Sequence, residues 1–136
     1  MVCLPILVLA EGAFSIDRIY NESPNQTFSI HIFSPICQNT YVIQPLTYAN
    51  VENYNCVLAE DHKDTNGKFI ISDESGKQIS EDKFTLENKY DGYPQGHWFL
   101  TIDDRTTLHN VYVFTHDAWF YLFIDKDGKA YAKDWQ

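Results

Sequence analysis

Short runs in which apolar and polar residues alternate dominate the chain. In residues 27–33, TFSIHIF, Phe28, Ile30 and Ile32 point one way, while Ser29, His31 and Phe33 point the other. That period of two is the signature of a half-buried strand. Residues 39–46, NTYVIQPL, read as a second strand, ended or displaced to a sheet edge by Pro45. The runs GKFIIS (67–72) and GKQIS (76–80) flank Asp73-Glu-Ser-Gly76, where Gly76 can take a positive φ, so they predict a hairpin.

The last third is the most regular. HWFLTID (97–103), NVYVFT (110–115), AWFYLFID (118–125) and KAYAKDW (129–135) are separated by short polar links. This spacing predicts a four-stranded antiparallel meander, with Asp127-Gly128 supplying the tightest turn. In AWFYLFI both faces are apolar: Trp119, Tyr121 and Phe123 on one, Phe120, Leu122 and Ile124 on the other. Such a strand is expected at the centre of its sheet and covered on both sides; an exposed aromatic face for a ligand is the alternative. Helix is possible only in residues 47–62 and 80–89, where Ser80 could cap but Thr85 and Asn88 keep any helix short. The expectation is a single mostly β domain, an antiparallel sandwich or barrel with at most one or two short helices.

Composition narrows the function. The 136 residues suit one domain, and 44% hydrophobic with 15% aromatic residues suffice for a packed interior. Nineteen acids against ten bases give a formal charge of -9, which argues against nucleic acid and anionic lipid surfaces. The acidity is even: nine acids and four bases precede Glu81, and ten and six follow from there.

Residues 1–14 carry the only long apolar run, too short for a membrane-spanning helix. Two readings stay open. Val8-Leu-Ala10 before Glu11 fits a signal cleavage site without its basic n-region, which makes residues 1–14 a signal-peptide remnant, the protein exported to a periplasm or the extracellular space, and residues 15–136 the mature β domain. Otherwise the run is a first buried strand of a cytoplasmic protein. Cys3, Cys37 and Cys56 show no zinc spacing. With Cys3 removed, Cys37 and Cys56 remain as an even pair that an oxidising compartment could join; the alternative is two buried thiols. Asn21-Glu-Ser and Asn25-Gln-Thr are glycosylation sequons, relevant only in a eukaryotic secretory pathway.

No residue pattern calls for a metal or another cofactor. His109 and His116, seven apart, are a poor metal clamp, and nucleophile elbows and phosphate loops are missing from the sequence. The turn of residues 125–128, DKDG, lacks the glycine and glutamate placement of a calcium loop. The densest candidate is residues 90–99, YDGYPQGHWF, in which turn chemistry presents Tyr90, Asp91 and Tyr93 ahead of His97 and Trp98. Asp103, Asp104 and Asp117 sit in polar links where a partner could reach them.

These features point to a small exported acidic protein that binds another, basic protein, as an inhibitor or immunity-type factor of a bacterial envelope would. A carbohydrate-binding module that stacks sugars on Tyr90, Tyr93 and Trp98 is the second reading. A small hydrolase with His97 or His116 as base is the third.

Overall fold

In the computed structural model, which describes residues 13–52, 55–60, 63–90, 95–113 and 118–134, the alternation of residues 28–33 is realised as a strand. Phe28, Ile30 and Ile32 are buried, and Ser29, His31 and Phe33 are half-buried on the other face. Eleven strands follow one another among the described residues. They are β1 (Ala13–Asn21), β2 (Phe28–Phe33), β3 (Thr40–Ile43), β4 (Tyr48–Asn50), β5 (Val57–Glu60), β6 (Thr65–Ser72), β7 (Gln78–Tyr90), β8 (Gln95–Ile102), β9 (Thr106–Val113), β10 (Ala118–Ile124) and β11 (Ala130–Asp134).

The strands form two sheets packed face to face, a sandwich rather than a closed barrel. Sheet B has the order β3-β2-β6-β7-β8-β9 and is antiparallel throughout. Sheet A has the order β11-β10-β1-β4, with β5 sharing the β4 edge of β1. Phe14 of β1 ties the two layers together: its ring lies 5.1 Å from Trp98 of β8 and 5.0 Å from Phe120 of β10. Phe69 and Phe84 stack at 4.7 Å inside sheet B's inner face.

Among the described residues, the segments that could have been helical hold strands and no helix. Residues 47–62 supply β4 and β5, and residues 80–89 lie within β7. In β7 the buried positions Ser80, Asp82, Phe84 and Leu86 alternate with exposed Glu81, Lys83, Thr85 and Glu87, so period-two burial overrides a weak helix propensity. Among the described residues no helix is long and apolar enough to cross a membrane.

The four-stranded meander is also corrected. β8–β9 and β10–β11 are hairpins, but β9 ends sheet B while β10 joins sheet A and pairs with β1 in parallel. The physical reason lies in β1, which carries Phe14, Ile16 and Ile19 at zero exposure and so needs neighbours on both edges. β10 provides one; β4 and β5 together provide the other. A bulge at Asp17 resets the phase of β1, so Phe14 and Ile16 before it and Ile19 and Asn21 after it all point inward.

Both predicted turns share one design. Asp73 Oδ1 accepts the N–H groups of Ser75 and Lys77, and Asp125 Oδ1 accepts those of Asp127 and Lys129. Gly76 (φ 90°) and Gly128 (φ 81°) occupy the left-handed position that each turn requires. A disulfide joins Cys37, after β2, to Cys56, before β5, and so fastens sheet B to sheet A. Such a bond is compatible with an oxidising, exported setting.

Candidate functional site

The described residues among those singled out in the sequence do not converge on one place. Trp98 is fully buried against Phe14, so it packs the core rather than meeting a ligand. Tyr90 ends β7, its backbone opposite Gly96, while Asp91, Tyr93, Asp117 and His116 lie outside the described residues. Asp103 and Asp104 are exposed in the turn between β8 and β9, which closes through Arg105 N–H to the Ile102 carbonyl at 2.8 Å. Both have positive φ (47° and 59°), a conformation aspartate tolerates better than most residues.

His97 stands on the outer face of sheet B. It shares a hydrogen bond with His109, Nδ1 to Nε2 at 2.7 Å, one ring donating and the other accepting. Phe99, directly opposite His109, stacks on it at 4.4 Å. Nothing local to either histidine announces this pair, because only the β8–β9 register brings positions 97 and 109 together. Among the described residues no group of three His, Cys, Asp or Glu side chains converges as a metal site would.

The strongest constellation lies on the outer face of sheet A. Tyr48 of β4, Tyr20 of β1, Phe123 of β10 and Tyr131 of β11 are in direct register across four strands. Successive ring centroids are 5.2, 4.8 and 5.1 Å apart. Beside this row runs a second, Asn50, Arg18, Tyr121 and Lys133. Arg18 lies 4.6 Å from the Tyr48 ring centroid and donates to the Tyr20 hydroxyl at 3.1 Å. The Lys133 ammonium lies 4.9 Å from the Phe123 centroid. These are cation–π distances.

At the far end the Tyr131 hydroxyl donates to the Glu22 carboxylate at 2.6 Å. Burial first, and then Glu22, hold that phenol protonated well above its ordinary range. Because Tyr20, Phe123 and Tyr131 stack face to face, the row offers ring edges and hydroxyls rather than open ring faces. Trp119, Tyr121 and Phe123 were visible in the sequence as one face of a two-sided strand. Among the described residues no third layer covers that face. Tyr20, Tyr48, Tyr131, Arg18 and Lys133 were missed, although the pairs Arg18/Tyr20 and Tyr131/Lys133 repeat the same two-residue spacing.

A second polar cluster guards the free edge of β11. Buried Asp82 accepts the Ala130 N–H at 2.7 Å, and Arg105 donates to the Ala130 carbonyl at 2.8 Å while lying 3.4 Å from Asp82. Side chains here do what a further strand would do, satisfying an exposed edge. Burial raises the Asp82 pKa above its ordinary value; the Ala130 N–H and Arg105 oppose the rise, and Asp103 adds to it. The native state therefore holds this proton more tightly than the unfolded chain. Stability from this group is full below the ordinary aspartate pKa of about 3.9 and is lost as pH rises through the raised folded value. Asp82→Asn keeps an acceptor for Ala130 and removes the titration. Its melting temperature relative to wild type is expected to climb as pH increases from about 4; parallel pH profiles for the two proteins would contradict this.

Scans against protein-family models, curated proteins and solved structures each return no match to this chain.

Proposed function

We propose that this domain is a non-catalytic binding module of an exported protein, and that it engages a protein partner of net positive charge through the outer face of sheet A. The observation that carries the reading is the in-register row Tyr48, Tyr20, Phe123 and Tyr131, with Arg18 and Lys133 beside it. An antiparallel sandwich ordinarily turns polar residues outward, as sheet B does with Lys68, Glu81, Lys83 and Glu87. Sheet A instead presents tyrosine, phenylalanine and arginine, the residue types that dominate protein interfaces and their hot spots. The stacked geometry favours a protein over a sugar, since a pyranose needs an open ring face. The net charge of -9 draws a cationic partner from a distance. The disulfide supports an exported setting.

The test pairs capture with mapping. Partners crosslinked in the native source are expected to be basic, and their binding to protect β1, β10 and β11 from amide exchange. Phe123→Ala is expected to weaken the captured complex at least about 30-fold, the scale of one central aromatic anchor. Between about 50 and about 500 mM salt the association rate should fall, with a smaller slope for Asp103→Asn/Asp104→Asn. A partner that is acidic, or that protects sheet B while ignoring Phe123→Ala, would defeat the proposal.

A further inference from the structure

On the opposite side of the sandwich, an open groove of about 550 Å³ crosses the outer face of sheet B where β2, β6 and β7 meet. Phe33, Lys68 and Lys83 follow one another in register across its floor. Lys68 and Lys83 are direct cross-strand partners, and like charges placed directly opposite repel each other. Glu81 relieves only one of them, its carboxylate lying 3.8 Å from the Lys68 ammonium. Among the described residues the Lys83 ammonium has neither an ion pair nor a hydrogen bond. A ligand carboxylate would offset that repulsion if the groove also offered a polar surface to hold the rest of the ligand.

The rest of the wall supplies one. Gln38 and Asn66 line the groove, exposed, and their amides make no hydrogen bond among the described residues. Each can donate and accept at once, which suits neighbouring hydroxyl groups. The half-buried Phe33 ring gives an apolar wall, with His31 against it at 4.2 Å. Glu81 can accept a further hydroxyl hydrogen. Two ammonium groups less one carboxylate leave a single excess positive charge, matching one carboxylate and not a chain of phosphates, which the overall charge would repel in any case. The volume falls within the range of small-molecule sites and holds one or two sugar rings.

We propose that this groove is a binding site for an acidic saccharide, with the uronate carboxylate on Lys83 and Lys68 and the ring hydroxyls on Asn66, Gln38 and Glu81. The site is separate from the aromatic face of sheet A, and neither reading depends on the other. Calorimetry and amide chemical shifts would be recorded with a glucuronic-acid disaccharide, its carboxyl-reduced counterpart, and inorganic sulfate. The uronate disaccharide is expected to bind in the millimolar range or tighter, shifting residues of β2, β6 and β7, and the reduced sugar at least about tenfold more weakly. Lys83→Met should lose about the same factor with an unchanged or higher melting temperature, since it removes a repulsion and keeps the apolar stem. Asn66→Ala should weaken the uronate and leave sulfate unaffected. Three results would overturn the proposal: silence toward the disaccharide at about 10 mM, equal affinity for sulfate and uronate, or full affinity in Lys83→Met.

Discussion

Trp98→Ala is expected to lower folding stability by about 3–5 kcal/mol, the range for deleting a large buried aromatic, and the melting temperature by roughly 10–20 °C. The indole has zero exposure and belongs to the contact through which β8 meets β1, with the Phe14 ring at 5.1 Å. Removing it opens a cavity between two sheets that each hold their own backbone hydrogen bonds, so the surroundings cannot collapse to fill it. Trp98→Phe retains much of the volume and should lose less. Denaturant titration gives the stability. Partner affinity, measured well below the variant's melting temperature, should stay within about threefold of wild type, because Trp98 points away from both outer faces. A stable Trp98→Ala protein that no longer binds would return this residue to the ligand-contact role suggested by its sequence context.

Loss of the Cys37–Cys56 bond is the second large effect. The two cysteines are 19 residues apart, and releasing a closed loop of that size costs about 3 kcal/mol in the chain-entropy model. The consequence should be local as well as global, because the bond fastens the loop after β2 to the approach of β5, and β5 reaches only the edge of β1. Cys37→Ala/Cys56→Ala is therefore expected to unfold at lower denaturant, and to exchange the amides around Val57–Glu60 faster than those of β6 and β7 at the centre of sheet B. Denaturation midpoints unmoved by reduction or by the double substitution would show that the bond adds nothing to stability.

Much of this architecture was legible along the chain. The alternation in residues 28–33 and the Asp73–Lys77 turn with Gly76 follow from local side-chain chemistry and appear as read. Residues 118–124 lie inside their sheet as expected, but among the described residues only one of their two apolar faces is covered by the other layer, the second being the outer aromatic face. The even pair Cys37 and Cys56 likewise became a bond. Local pattern failed where a choice of neighbour decided the outcome. Residues 80–89 were ambiguous because Ser80 could cap a helix; pairing with β6 on one side and β8 on the other made them strand. The aromatic face was half visible in Trp119, Tyr121 and Phe123, but its other half comes from β1, β4 and β11.

The sequence by itself determined which positions are apolar on one side, which are apolar on both, and where the chain can turn, since these depend on a residue and its close neighbours. Only the tertiary structure decided that β1 lies parallel to β10 across about a hundred intervening residues. It alone put Tyr20 beside Phe123, His97 against His109, and Lys83 opposite Lys68. A strand's two faces are written in its side chains, but its two edges carry the same N–H and C=O groups whatever the sequence. Partner and register are therefore settled by which arrangement buries the most apolar surface at once, a property of the whole fold.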